Sequence, residues 1–362
     1  MIFANYYNKN NKATTKQLIN YFQALYEGAK LTSADFLFIL NNINDELLPE
    51  LQKLACAKRD EVYGKAVFIR GLIEITNYCQ RDCFYCGIRK SNEAVQRYRY
   101  DKNKIAAIVA RAYRKGYRTI VLQGGEDDYY TPDLLVNIIS SLKKKYPEMA
   151  LTLSLGEKTK ATYQALFAAG ANRYLLRHES ASKRHYGQLH PPTMSYEQRM
   201  QCLRDLKAIG YQTGAGLMVG SPYQTNEDLV QDLLFLQEFK PHMIGIGPYL
   251  RHYQTPFKNK ANGVLEHVLV IYCLARLLVP RALLPSTTAT SSLAKDGRLK
   301  ALRSGCNVIM INLSDEDKRV NYSLYENKTY KGDESVAYLK LIENDIESAA
   351  LEMDFSIGNY RK

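Results

Sequence analysis

Cys79, Cys83 and Cys86 fall in the run Cys-Gln-Arg-Asp-Cys-Phe-Tyr-Cys. The gaps of three residues and then two bring three thiols into one loop. Closely spaced thiolates hold iron–sulfur clusters, and three of them can hold three irons of a 4Fe–4S cluster. The fourth iron then has no protein ligand from this segment. An open metal position is a place where a small molecule is bound and activated. Zinc is the competing reading, but structural zinc usually takes four ligands in two such pairs, and no second pair occurs in the chain. Disulfides need an oxidising compartment. Cys56, Cys202, Cys273 and Cys306 each stand alone among apolar neighbours and read as structural thiols.

The segment before the loop, Ala66–Thr76, is apolar and β-branched and reads as a strand, so the cysteines leave a strand end. Further strands are expected at Arg118–Gln123, Ala150–Leu155, Arg173–Arg177, Thr213–Val219, Met243–Gly247, Ala282–Ser286 and Val308–Ile311, with helical patterns between them. Such an alternation implies an α/β fold, a complete (β/α)8 TIM-type barrel. An open doubly wound sheet is the alternative. Residues 1–65 read as an N-terminal helical extension, 66–312 as the barrel, and 313–362 as a C-terminal extension packing on it, with a helix near Glu334–Ala350.

Barrel enzymes carry their chemistry at the C-terminal ends of the strands, and unusual polar residues gather there. The second strand ends Gln123-Gly124-Gly125-Glu126, where glycines let backbone approach a ligand and the carboxylate can accept from an ammonium group; a tight turn with a solvated glutamate is the plain alternative. The third strand ends Leu153-Ser154-Leu155-Gly156-Glu157. The fourth ends Arg177-His178-Glu179: a guanidinium suited to a carboxylate, and a carboxylate suited to ribose hydroxyls or an amine. An internal ion pair competes with both roles. Arg199, opening a later helix, can add a cation. Met218 and Ile246 can pack on an adenine ring, although core packing is the commoner role of such residues. Thr287 and Thr288 offer hydroxyls to a small polar substrate, and with Arg177 are expected to hold a small anionic one.

The chain has 49 Lys and Arg against 37 Asp and Glu, a net charge of +12, but the excess is diffuse. Lys143-Lys144-Lys145 is its strongest run and reads as a solvated helix end. No basic–aromatic module speaks for nucleic acid, no apolar run reaches membrane-spanning length, and the first residues do not resemble a signal peptide. A reducing cytoplasm is expected.

The cysteine spacing resembles that of the radical S-adenosylmethionine (SAM) superfamily. Cys-Phe-Tyr-Cys-Gly-Ile-Arg-Lys, Gln-Gly-Gly-Glu-Asp, Arg173-Tyr-Leu-Leu-Arg-His-Glu and Gly210-Tyr-Gln-Thr-Gly-Ala-Gly-Leu-Met-Val-Gly are most similar to the FeFe-hydrogenase maturases of the HydE family, which share fold and loop with biotin synthase and the methylornithine synthase PylB. The resemblance implies one 4Fe–4S cluster held by Cys79, Cys83 and Cys86, with SAM on the open iron and cleaved to a 5′-deoxyadenosyl radical. It implies a SAM site that includes Tyr85, Gln123, Gly124, Gly125, Glu126, Ser154, Glu179, Arg199, Met218 and Ile246. It also implies a cysteine-derived or organometallic iron–carbonyl–cyanide substrate, HydF- and HydG-like partners, and an electron donor such as ferredoxin or flavodoxin. Two features depart from the family: no cysteine follows Cys306, where some members carry a second cluster, and Leu-Ser-Asp-Glu-Asp follows Asn312 where prolines are commoner. A PylB-like amino-acid mutase and a non-catalytic cluster scaffold remain as other readings.

Overall fold

The computed structural model describes residues 2–328 and 336–361. Its strands are β1 (Ala66–Thr76), β2 (Thr119–Gly124), β3 (Ala150–Ser154), β4 (Arg173–Leu175), β5 (Gln212–Ala215), β6 (Met218–Val219), β7 (Met243–Ile244), β8 (Gly247–Pro248), β9 (Pro285–Ser286), β10 (Val308–Asn312) and β11 (Glu352–Asp354). Neighbours pair in parallel in the order β7-β5-β4-β3-β2-β1-β10-β9. A bridge between Met243 and Leu283 closes the circuit: Ile244 N–H donates to the Leu283 carbonyl at 3.1 Å, and Leu283 N–H to the His242 carbonyl at 2.9 Å. The result is the expected (β/α)8 barrel rather than an open sheet. Its fifth and sixth strands are each interrupted, at Gly216-Leu217 and at Gly245-Ile246, where glycine weakens the ladder. Beyond the break, β6 pairs with β8.

Alternation sorts the side chains. Along β1, Ile69, Ile73 and Ile75 join the apolar layer beneath the helices. Arg70 and Glu74, one residue out of phase, face the barrel axis. The helix Leu265–Leu278 is largely apolar and buried along almost its whole length. Such a helix must be covered on every face, and Leu48–Tyr63 supplies the outer cover. Thr32 and Thr225 start their helices with reciprocal caps to Asp35 and Asp228.

The helix expected near Glu334–Ala350 is present at Val336–Ser348; Glu334 lies outside the described residues. The chain then reaches the barrel floor. There β11 pairs in parallel with Ala66–Phe68 of β1. The buried Arg173 donates to Ile357 O at 3.0 Å, Gly358 O at 3.2 Å and Asn359 Oδ1 at 2.8 Å. Gly358 has φ +55°, and a Cβ there would lie 2.5 Å from Phe68 Cγ. A chain ending at Leu351 strips these acceptors from Arg173. Each such bond to a charged group is worth about 1.5–3 kcal/mol, so a thermal melt followed by circular dichroism should show a midpoint lower by several degrees. An unchanged midpoint would mean that the floor does not depend on the tail.

Candidate active site

The loop after β1 is fixed before any ligand is considered. Asp82, between the first two cysteines, accepts from Arg89 Nε at 2.7 Å, from a second nitrogen of Arg89, from Ser91 N–H at 3.0 Å and from the Ser91 hydroxyl at 2.8 Å. The Arg89 guanidinium holds the Asp82 carboxyl down to about 2. Arg97 donates to the carbonyls of Asn77, Ile88, Arg89 and Asn92. Phe84 and Gly87 N–H groups bond Leu189 O and Leu324 O at 3.0 and 2.9 Å.

The loop also lies against the end of β2. A Cβ on Gly125 would stand 2.1 Å from Tyr78 O and 2.7 Å from Cys79 Cβ. Gly125→Ala should therefore push Cys79 outward and lower the iron retained after anaerobic reconstitution, read as moles of iron per mole of folded protein. Full iron content in that variant would show that the close approach is not needed.

A cavity of about 290 Å³ opens at this end of the barrel. Cys79, Cys83, Cys86, Tyr85, Gln123, Gly124, Gly125, Glu126, Ser154, Arg177, Glu179, Arg199 and Met218 all line it. Burial pushes the three thiols up, Cys86 to about 12. Among the described residues, no three His, Cys, Asp or Glu side chains gather closely enough to hold one ion. The thiols stand around a shared space instead, which suits a group larger than an ion, and a bound metal would reverse the effect of burial and hold the sulfurs as thiolates.

Beside the thiols, two carboxylates and two guanidinium groups alternate. Arg81 contacts Glu126 at 2.5 Å and Glu157 at 3.2 Å, and Arg199 contacts Glu157 at 2.6 Å and Glu126 at 3.8 Å. The ring is neutral as a whole, so a zwitterion can enter without leaving net charge buried. Arg81 and Glu157 were not singled out from the sequence. Arg81 had a signal, its place between two cysteines, and Glu157 had another, its place at the end of the third strand. Tyr322, Leu324 and Tyr325 also line the cavity, and nothing in their local sequence marks them.

Across the cavity, Arg177 and Glu179 pair at 2.9 Å. The bland expectation for these residues, an internal ion pair, is thus present in the structure, and Arg177 is not a free cation. Three expected residues lie elsewhere. Ile246 faces the apolar layer under the helices, because its neighbours Gly245 and Gly247 take the inward positions. Thr287 turns its hydroxyl to Thr290 at 3.0 Å. Thr288 opens a short helix and lines a separate cavity with Ser286, Lys295 and Arg298. Unpaired positive charge lies deeper. Arg70 is buried with Nε and one terminal nitrogen unpartnered, its other terminal nitrogen being 3.5 Å from Met243 Sδ. Arg173 likewise has two unpartnered nitrogens. Burial, with the nearby charge of Arg173, draws the Arg70 pKa well below its ordinary value.

Residues 73–236 match the family model of the Radical SAM superfamily. Over 307 residues the chain is 43% identical to the FeFe-hydrogenase maturase subunit HydE of Thermotoga maritima, covering 84% of this chain and 87% of that one. The chain belongs to the HydE family. It is a radical SAM enzyme, and HydE-family membership accounts for the loop, the glycine-rich second strand end and the closed barrel together. More distant relatives share the frame. The 3-methylornithine synthase of Methanosarcina acetivorans is 26% identical over 328 residues, 90% of this chain and 92% of that one. The crystal structure of methylornithine synthase PylB superposes with a TM-score of 0.79 at 24% identity, covering 92% of this chain and 97% of PylB. That of the maturase HydG gives 0.80 at 20% identity, covering 97% and 78%. At those identities the two structures speak for the fold alone.

Proposed function

We propose that this HydE-family chain holds one 4Fe–4S cluster on Cys79, Cys83 and Cys86, binds SAM beside it, and acts on a small anionic substrate in the maturation of an FeFe hydrogenase. The observation that carries the reading is the meeting, in one cavity, of three thiols with the alternating ring of Glu126, Arg199, Glu157 and Arg81. When bound, the cluster and SAM supply reductive cleavage of SAM to methionine and a 5′-deoxyadenosyl radical.

The chain's own residues do the rest. Glu126 accepts from the SAM ammonium, and Arg199 donates to its carboxylate. Glu179 accepts from the ribose hydroxyls. Tyr85 and Met218 cover the adenine, while Gln123 and Ser154 add neutral hydrogen bonds at neighbouring strand ends. Tyr322, Leu324 and Tyr325 close the cavity from the C-terminal side, and exclusion of water protects a reactive intermediate. Substrate lies within the cavity on its axial side, where the positive charge of the buried, partly unpartnered Arg70 and Arg173 beneath favours an anion. A cysteine-derived molecule or an iron–carbonyl–cyanide species meets that requirement.

Residues 1–65, 66–312 and 313–362 are taken as helical extension, barrel and C-terminal extension. No helix among the described residues is long and apolar enough to cross a membrane, in keeping with work in the cytoplasm beside HydF- and HydG-like proteins and a ferredoxin or flavodoxin. The test is anaerobic reconstitution with iron and sulfide, reduction, and addition of SAM. Release of 5′-deoxyadenosine is expected, as is restored hydrogenase activity when the gene enters a maturation system lacking its HydE. Cleavage of SAM with no restoration, but with conversion of an amino acid, would favour the PylB-like mutase.

A further inference from the structure

The fourth strand ends in a conformation that its own residues do not favour. Glu179 has φ +63°, a region that an L-residue with a long side chain seldom enters. Ser180 N–H closes a three-residue turn onto His178 O at 2.8 Å. Glu179 N–H donates to Gly216 O at 3.0 Å, and Met218 N–H to Glu179 O at 3.1 Å. The turn places the Glu179 carboxylate in the cavity, paired with Arg177.

Directly beneath the turn lies a buried pair that the chemistry above does not use. His178 and Asp232 are both fully buried, and His178 Nε2 stands 3.1 Å from Asp232 Oδ1. His178 Nδ1 accepts from Gly216 N–H at 3.2 Å, which assigns the remaining ring proton to Nε2, donated to the carboxylate. The same Asp232 Oδ1 accepts from Ala181 N–H at 2.5 Å. The imidazole also lies against the Phe235 ring, with centroids 4.7 Å apart. Both Asp232 and Phe235 belong to the helix Asn226–Phe239. One carboxylate on an outer helix thus ties down the residue before Glu179 through its side chain and the second residue after it through its backbone. The imidazole ties the same turn to the neighbouring strand.

We infer that His178 and Asp232 are positioning residues for Glu179: they hold its backbone in the left-handed region, so that its carboxylate is presented to the ligand of the cavity. The inference rests on the reading of Glu179 as a SAM contact only for its functional consequence, since the backbone statement stands by itself. A buried ion that served packing alone would be replaceable by apolar residues of similar volume. This one is bonded to the residue just before the strained position and to the second residue after it.

The experiment uses the cluster-loaded enzyme and the variants Glu179→Gln, Asp232→Leu, His178→Leu and Asp232→Leu/Glu179→Gln, because an amide at 232 would still accept both bonds through its oxygen. SAM affinity is measured by titration, folding by thermal melt, and the backbone of Asp232→Leu by crystallography. Glu179→Gln is expected to weaken SAM binding about tenfold or more, as loss of a charge-assisted hydrogen bond does. Asp232→Leu should weaken it by a lesser factor, and the double variant should bind no worse than Glu179→Gln alone, because residues acting through one contact are not additive. The crystal structure should show Glu179 at negative φ with the Arg177 pair broken. His178→Leu should follow Asp232→Leu, which keeps the inference decidable where either variant folds poorly. Full additivity in the double variant would overturn the inference, and so would a folded Asp232→Leu with Glu179 unmoved. If Glu179→Gln binds SAM normally, the cofactor role of Glu179 fails, and the crystallographic φ still decides whether the pair positions it.

Discussion

Alanine at Cys79, at Cys83 or at Cys86 is expected to abolish SAM cleavage outright. Each thiol lines the same cavity and no other cysteine does, so no neighbouring side chain can take the place of the one removed. The surrounding loop does not depend on the sulfurs. Asp82 with Arg89 and Ser91, and Arg97 with its four carbonyls, hold it by hydrogen bonds. The variants should therefore fold, with melting midpoints near that of the parent without iron. After anaerobic reconstitution they should lack the reduced 4Fe–4S electron paramagnetic resonance signal that shifts on addition of SAM, and 5′-deoxyadenosine should fall below detection. Cys273→Ala is the control: its thiol is buried in the helix layer, and the signal should survive. A SAM-responsive signal in all three loop variants would refute the assignment. Stoichiometric zinc after iron reconstitution would revive the single-ion reading.

Glu126→Gln should carry the second largest effect. The substitution removes one of two carboxylates that face the guanidinium groups of Arg81 and Arg199. Two consequences add. The ammonium of SAM loses a charge-assisted partner, worth about 1.5–3 kcal/mol, or roughly one to two decades of affinity. The site also gains a net positive charge, which repels that ammonium further. Titration of the cluster-loaded enzyme should show a dissociation constant raised by at least about tenfold, while the cluster signal without SAM is retained. The carboxylate-bearing head group is the part that matters. S-adenosylhomocysteine, which keeps it, should suffer the same loss, whereas decarboxylated SAM should bind poorly to parent and variant alike. Unchanged affinity for SAM would place the head group elsewhere.

Much of the frame was legible because it repeats a simple pattern. Ala66–Thr76 is a largely apolar run rich in β-branched residues and folds as one strand with those ends. The helices Tyr196–Ile209, Asn226–Phe239 and Leu265–Leu278 begin and end where apolar spacing and turn residues say they should. Side-chain direction was legible only where the strand is regular. Arg177 and Glu179 do meet, but beyond the end of β4 at Leu175, where the left-handed turn at Glu179 rather than strand alternation brings the carboxylate to Arg177. Ile246, next to a break in the sixth strand, could not be assigned to a face from sequence, and Thr287 and Thr288 belong to a helix start rather than a continuing strand. What stayed hidden depends on distant partners. Arg81 reads as a polar loop residue until Glu126 and Glu157 are beside it. Tyr322 has no pattern of its own. Glu352–Asp354 forms a strand because the edge of β1 at Ala66–Phe68 is otherwise unpaired there, a cause that lies almost the whole chain away.

That last pairing sets the timetable on which the molecule can assemble. The first barrel strand to leave the ribosome, β1, finds its partner on one side in β10 and part of its partner on the other in β11. Until residues 308–354 have been synthesised, the edge of β1 stays open and the cysteine loop at its end is exposed. Contacts so distant in sequence form slowly, and unpaired strand edges in a partly made chain invite association. The nascent enzyme therefore passes through a long stage in which its thiols are accessible and its barrel is incomplete, and overexpression faster than closure should yield aggregates rather than soluble protein. Slower synthesis at lower temperature, with no change to the sequence, should raise the recovered fraction.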